Sequence, residues 1–131
     1  MLARLAPAIL AAGYLVVAAQ ANDILLPNGA VSAKGLATYC ASDKKEEQYF
    51  CFGYIGASLN QLGIAGDLMR RGETIDLVAV CPKGTMDVGK NIKQFVIWMR
   101  NAPPDRVNGR AAIAVIEFLK EKYPCRSQIP Q

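Results

Sequence analysis

The sequence predicts an all-α fold, a small domain of four helices stapled by two disulfides. Several stretches repeat apolar residues at spacings of three and four, which places those residues on one face of a helix. Proline and glycine clusters separate these stretches, and only the segment 75–80 has the β-branched run expected of a strand. The chain has 131 residues, so a single domain is expected.

The first 21 residues have the composition of a secretory signal peptide. Arg4 is their only charged residue, an apolar run follows, and the segment ends in a small-x-small Ala-Gln-Ala pattern. The apolar run is shorter than the roughly 20 residues that a membrane-spanning helix needs, which argues against the alternative of a retained anchor. We therefore expect cleavage after Ala21, a mature domain over 22–131, no membrane contact after cleavage and a periplasmic location.

The N-terminal half of the mature chain is predicted to hold two helices. Residues 22–29 form a loosely held arm that ends in a Pro-Asn-Gly turn, and a short helix follows over 31–41. The charged run 43–48 is interpreted as a solvated loop or a helix start. A second helix over 49–67 faces the core with Phe52, Ile55, Leu59 and Leu62.

Glycines interrupt this second helix. Glycine is about 1 kcal/mol less favourable than alanine in a helix interior, so Gly53 and Gly56 in one turn indicate a neighbouring backbone packed closely against them. A phosphate-binding loop is the weaker interpretation, because no strand precedes these glycines and no lysine follows in the P-loop position. Gly63, Gly66 and Gly72 are taken to mark the end of the helix and an irregular connection.

The C-terminal half is predicted to hold two further helices. Thr85 is a natural N-cap for the third helix. The negative charge of Asp87 in the first turn interacts favourably with the helix dipole. Two prolines end that helix, and Asp105 caps a fourth that runs to about Tyr123. The predicted apolar faces are Val88, Ile92, Phe95, Val96 and Met99 in the third helix, and Val107, Ala111, Ile113, Val115, Ile116, Phe118 and Leu119 in the fourth.

All four cysteines, Cys40, Cys51, Cys81 and Cys125, lie in the mature chain, and an oxidising compartment favours their pairing. Their spacings match neither a zinc knuckle nor a thioredoxin motif, and the sequence has no histidine, so no metal and no cofactor are expected. Four cysteines allow three pairings. Consecutive helices with tight connections pack antiparallel, which favours Cys40 with Cys51 and Cys81 with Cys125.

The composition argues against several classes of function. A chain without histidine has no Ser-His-Asp triad and no Cys-His nucleophile pair. Its formal net charge of +4 is too mild for the dense basic stripe of a nucleic-acid-binding protein. The carboxylates show no paired spacing that singles out a glycosidase-like dyad. A binding or structural role is therefore favoured over catalysis, and an enzyme that uses a lysine or a carboxylate is the remaining alternative.

Several short motifs together resemble one family. They are Leu36 with Cys40, the run Cys51-Phe52-Gly53-Tyr54-Ile55-Gly56, the run Cys81-Pro82-Lys83-Gly84-Thr85, Phe95-Val96 with Trp98-Met99, and Tyr123-Pro124-Cys125. Over about residues 35–125 the chain resembles the Rap/Tai immunity proteins. The resemblance implies an exported helical domain that binds and blocks a peptidoglycan-cleaving amidase effector of bacterial type VI secretion. It also implies that a homodimer is a common state.

The resemblance separates supporting residues from candidate contacts. The motif residues expected to support the fold are Gly53, Tyr54, Ile55, Gly56, Pro82 and Pro124. The effector is expected to contact exposed charged segments at 43–48 and 68–76, where the candidate residues are Asp43, Lys44, Glu46, Glu47, Arg70 and Arg71. The alternative function is a small periplasmic, disulfide-bonded helical protein with a general, chaperone-like envelope role and no effector.

Overall fold

Five helices form the domain in the computed structural model, which describes residues 24–73 and 79–125. They are α1 (Ala33–Cys40), α2 (Lys45–Arg70), α3 (Val88–Arg100), α4 (Pro104–Val107) and α5 (Ala111–Lys122). Within those two ranges the only β-pairing is a pair of isolated bridges, Leu25 with Val31 and Ser32 with Arg110. The mostly helical class is confirmed. The predicted signal peptide lies outside the described residues, as does most of the strand predicted over 75–80.

The arm before α1 is held against the domain, and the prediction of a loose attachment is wrong. The Ser32 amide donates a hydrogen bond to the Ile24 carbonyl over 2.7 Å, and the Ile24 side chain is buried. Gly35 makes room for this arm, since a Cβ there would collide with Ile24. The Ser32 hydroxyl also accepts a hydrogen bond from the Gly35 amide and so caps α1.

The second helix is longer than predicted at both ends, and Gly63 and Gly66 lie inside it. The glycine at position 66 is explained by the segment 79–81, which crosses this helix. The Val80 amide donates a hydrogen bond of 3.2 Å to the Leu62 carbonyl. A Cβ atom on Gly66 would overlap the Val80 carbonyl oxygen. Gly66 therefore marks a close backbone approach on the flank of the helix. Gly72, with φ of +74°, follows the C-terminus.

The predicted fourth helix is divided into α4 and α5. Its backbone breaks at Gly109 because this segment pairs with the start of α1. The Ala33 amide donates a hydrogen bond of 2.9 Å to the Gly109 carbonyl, and the Ala111 amide donates one of 2.8 Å to the Val31 carbonyl. Asp105 lies in the first turn of α4 and is not its N-cap, a position that Pro103 occupies.

The third helix begins as expected, with a different cap. Asp87 is the N-cap, and its carboxylate accepts a hydrogen bond from the Lys90 amide over 2.9 Å. Thr85 is exposed in the connection before the helix. The prediction of Thr85 as the cap is therefore wrong by two positions, because either side chain suits the role and only the backbone decides between them.

The core fills the space between α1, α2, α3 and α5, with Phe95 at 0 % exposure and in edge contact with Phe118. Two predicted core residues are instead at the surface, since Phe52 is 55 % exposed and Ile113 is 54 % exposed. The buried core residues are Ala33, Leu36, Cys51, Ile55, Leu59, Leu62, Val80, Phe95, Met99, Ala111, Ala114, Val115, Phe118 and Leu119.

Two disulfides join neighbouring ends of these helices. Cys40 at the end of α1 is bonded to Cys51 in α2, with 5.1 Å between their Cα atoms. Cys81 before α3 is bonded to Cys125 after α5, with 4.8 Å between their Cα atoms. This is the pairing that the predicted antiparallel helix order favours. The second bond fixes the segment that crosses α2 to the C-terminal end of the domain.

Candidate functional site

The two segments predicted to contact an effector lie at opposite ends of α2. Residues 43–48 form its N-terminal end, whereas Arg70 and Arg71 form its C-terminal end. A helix of 26 residues is about 39 Å long at 1.5 Å per residue. One chain therefore does not bring these candidate residues into a single site. The part of the second segment beyond Glu73 lies outside the described residues.

The charged candidates at the N-terminal end are exposed and organised locally. Lys44 Nζ lies 3.3 Å from Glu47 Oε1, and Asp43 and Glu46 are both at the surface. Hydrogen bonding by the Ser42 hydroxyl lowers the pKa of the Glu47 carboxyl below its ordinary value, and the Lys44 ammonium acts in the same direction. Glu47 is therefore a carboxylate at neutral pH and remains one into the acidic range.

The candidates at the C-terminal end also have partners within the chain. Arg70 is paired with Asp67, and Arg71 Nε lies 3.1 Å from Glu73 Oε1. All four side chains are more than 40 % exposed. Exposed ion pairs contribute little to stability, so these arginines can exchange their intrachain partner for an acidic group on another protein at low cost.

Between these two ends, α2 has a second, solvent-facing stripe that sequence reasoning missed. We call it the α2 seam, and it consists of Glu46, Phe50, Gly53, Ala57, Asn60, Ile64 and Asp67. Ile64 is 54 % exposed, and Tyr49 next to the seam is 73 % exposed. Large exposed apolar residues along one helix face are typical of a protein-binding surface. In the sequence, the residues of the seam are separated alternately by four and three positions, and they fall between the buried residues of the same helix.

The glycines in the family motif do not make the close backbone contact predicted for them. Nothing lies within 4 Å of a Cβ built on Gly53, and a Cβ on Gly56 would make only ordinary contact with the Val88 methyl groups at 3.8 Å. The close approach occurs at Gly35 and Gly66 instead. Within one chain, Gly53 therefore has no steric reason to be glycine.

We expect Gly53→Ala to raise the free energy of unfolding by up to about 1 kcal/mol, because alanine is the better helix former and the added methyl group meets open space. Urea unfolding of the purified variant, followed by far-ultraviolet circular dichroism at a dilute concentration, measures this change. A loss of stability would show that a neighbour packs against Gly53 even in the isolated chain.

The other motif residues lie in the core or next to a disulfide-bonded cysteine. Ile55 is fully buried, and Tyr54 packs beside Phe50, whose ring also meets that of Tyr39 edge-on. Burial raises the pKa of the Tyr54 phenol above its ordinary value, so this group is neutral near pH 7. Pro82 follows Cys81 in the connection before α3, and Pro124 precedes Cys125 after α5.

A depression between α4 and α5 is the second candidate site, with a volume of about 270 Å³. Its central cation, Arg106, is already engaged: Nε lies 2.7 Å from Glu117 Oε2, and the guanidinium lies 4.2 Å from the centroid of the Trp98 ring. These contacts join α4 to α3 and α5. The lining residues are Pro103, Asp105, Arg106, Gly109, Arg110, Ile113, Ala114 and Glu117.

Two other kinds of site are absent from the described residues. In the part of the chain that the structure describes, no group of three or more cysteine, aspartate or glutamate side chains is placed to hold a metal ion. Over the same residues, no helix combines the length and the apolarity needed to cross a bilayer.

Comparison with known proteins gives one match. A model of the family described as Rap1a immunity proteins matches residues 32–125. The match runs from the N-cap of α1 to the last cysteine, and so it spans all five helices and both disulfides. Comparison with curated proteins gave no match, and comparison with solved structures gave none.

Proposed function

This chain belongs to the Rap1a immunity protein family, and on that basis we propose that it binds and blocks a peptidoglycan amidase effector of a type VI secretion system. The observation that carries the proposal is the family match over 32–125, because it covers the whole described helical domain. The protein protects the cell that makes it, or its siblings, by occupying the effector.

Export to the periplasm is part of the proposal. Two disulfides fit a protein that folds in an oxidising compartment. The composition of residues 1–21 supports a cleaved export signal. A periplasmic inhibitor would meet the amidase in the compartment that contains its substrate.

Inhibition by occupancy, without catalysis by this chain, is supported by the chemistry of its residues. The sequence has no histidine, and Arg106 in the depression between α4 and α5 is engaged by Glu117 and Trp98. The exposed groups at the two ends of α2 are suited to contact a protein surface. Binding energy at such surfaces is concentrated in a few residues, so single substitutions can report the contact.

Co-export in bacteria tests the proposal. Cells that export a type VI amidase effector from the same bacterium should lyse, and cells that also export this chain should grow normally. Asp43→Arg reverses an exposed charge at the N-terminal end of α2 and should weaken protection, whereas Lys93→Glu, an exposed position on α3, should not. Lysis of cells that export the unaltered chain in excess would contradict the proposal.

A further inference from the structure

The solvent-facing side of α3 is lined by cations. Its exposed members, which we call the α3 stripe, are Lys90, Lys93, Ile97 and Arg100. Successive members are three or four positions apart, so at about 3.6 residues per turn all four side chains fall within about 80° around the helix. The stripe lies opposite Phe95 and Met99, which are buried in the core. One face of α3 therefore holds the domain together, and the other is free for a partner.

The positive charge of the α3 stripe is not neutralised within the described part of the chain. The sequence of α3 contains no acidic residue, and none of the three cations has an ion-pair partner among the described residues. Two carboxylates border the helix and are engaged in other contacts: Asp87 accepts a hydrogen bond from the Lys90 amide, and Glu121 accepts one from the Trp98 indole. Lys90 and Lys93 are three positions apart, a spacing at which like charges repel. The stripe therefore does not stabilise its own helix.

Ile97 places an apolar side chain among these cations. It is 57 % exposed, whereas Phe95 and Met99 on the same helix are almost fully buried. Lys93 precedes Ile97 by four positions and Arg100 follows it by three, so a long, flexible cationic side chain lies on each side of it along the helix. The stripe thus combines an exposed aliphatic group with charges that can remain in water.

The chemistry of the α3 stripe identifies the kind of partner that it fits. Protein–protein contacts are depleted in lysine and enriched in aromatic residues, whereas two of the three cations here are lysines and the apolar residue is aliphatic. A nucleic acid would need a denser set of basic residues. Flexible cations around an exposed apolar side chain match an anionic lipid surface, which attracts the charges and buries the apolar group.

We propose that the α3 stripe docks the domain onto the surface of an anionic phospholipid bilayer. The three cations lie among the lipid phosphates, and the Ile97 side chain enters the boundary between headgroups and acyl chains. The opposite face of α3 stays in the core, so the domain binds the surface as a folded unit and does not span the bilayer. This inference replaces the expectation, drawn from the sequence, that the mature domain makes no membrane contact.

Flotation of the mature protein with lipid vesicles, with both disulfides intact, tests the docking without any effector. Vesicles in which about a third of the lipid is phosphatidylglycerol should bind the protein at low ionic strength, whereas vesicles of phosphatidylcholine alone should not. Binding should weaken steeply between about 0.01 M and about 0.15 M salt, because the Debye length falls from about 30 Å to about 8 Å over that range.

Two double variants of equal net charge separate the stripe from the overall charge of the chain. Lys90→Gln with Lys93→Gln should weaken binding to the anionic vesicles about 25-fold, since each cation near the surface contributes about fivefold. Lys34→Gln with Lys45→Gln, at exposed positions on α1 and α2, should change it by less than about twofold. Ile97→Ser should weaken binding about 10-fold. All five side chains are exposed, so the thermal unfolding midpoints should stay unchanged.

Equal losses in the two double variants would overturn docking through the α3 stripe, and so would a lack of binding to the anionic vesicles at low ionic strength. A protein that binds purified peptidoglycan but no vesicles would also overturn it, by assigning the stripe to the cell wall. Loss of amidase inhibition in the stripe variant, without vesicle binding by the unaltered protein, would assign the stripe to the effector instead. A protein that binds vesicles as described but does not protect cells would contradict the proposed function and leave the docking intact.

Discussion

Replacing Cys81 and Cys125 together with serine is expected to lower the free energy of unfolding by about 4 kcal/mol. The bond closes a loop between residues separated by 44 positions, and the entropy that it removes from the unfolded chain grows with loop length. Small domains have a total stability of about 5–15 kcal/mol, so this loss leaves a marginal fold. Urea unfolding of the double variant, compared with the unaltered protein, measures the difference.

The first disulfide supplies the control. Cys40→Ser with Cys51→Ser opens a loop of 11 positions, for which the same reasoning gives a loss of about 3 kcal/mol. The double variant at 81 and 125 should therefore be the less stable of the two. A loss below about 1 kcal/mol in both would show that helix packing alone holds the domain, contrary to this interpretation.

The second large effect is expected at Gly66, where alanine should destabilise the domain by about 3 kcal/mol. A Cβ at this position would overlap the Val80 carbonyl oxygen, and Val80 is itself fully buried. The segment 79–81 has little freedom to move away. The Val80 amide donates a hydrogen bond to the Leu62 carbonyl in α2, and Cys81 forms a disulfide with Cys125 at the C-terminal end of the domain.

Gly53→Ala is the matched control for Gly66→Ala, because both replace a glycine inside α2 by the same residue. The two substitutions should change stability in opposite directions, since one methyl group meets backbone and the other meets solvent. Thermal or urea unfolding of both variants gives the comparison. Equal effects of the same sign would contradict the assignment of Gly66 as the close crossing point.

Local apolar patterns predicted the parts of the fold that depend on neighbours in sequence. The periodic placement of Ile55, Leu59 and Leu62 predicts α2, and the order of helix ends predicts the pairing of Cys40 with Cys51. Such features need only the geometry of a helix and the rule that consecutive helices pack antiparallel.

Features that depend on contacts distant in sequence were not predictable in this way. The break at Gly109 arises from hydrogen bonds to Val31 and Ala33, about 80 positions earlier in the chain. The role of Gly66 arises from the crossing of Val80, which no local pattern reveals. Phe52 was assigned to the core because its spacing fits the buried stripe, yet it lies at the edge of that stripe and is exposed.

The candidate site shows the same division. Charge and glycine content predict accessible loops at 43–48 and 68–76. The structure places Asp43, Lys44, Glu46, Arg70 and Arg71 at the surface, but Glu47 is half-buried, and residues 45–48 and 68–70 belong to α2. Their separation depends on the unbroken length of α2, which runs through Gly63 and Gly66 to Arg70, whereas glycines in this region of the sequence indicate a helix end. The seam between the segments is not evident from apolar periodicity, because its middle positions are the small or polar residues Gly53, Ala57 and Asn60.

The central claim is that this chain inhibits an amidase by binding it. Hydrolysis of purified peptidoglycan by a type VI amidase effector from the same bacterium, measured while the purified chain is added, tests it most directly. We predict that hydrolysis falls in proportion to the added chain and stops at a fixed molar ratio. Undiminished hydrolysis with the chain in large excess, or hydrolysis by the chain alone, would contradict the claim.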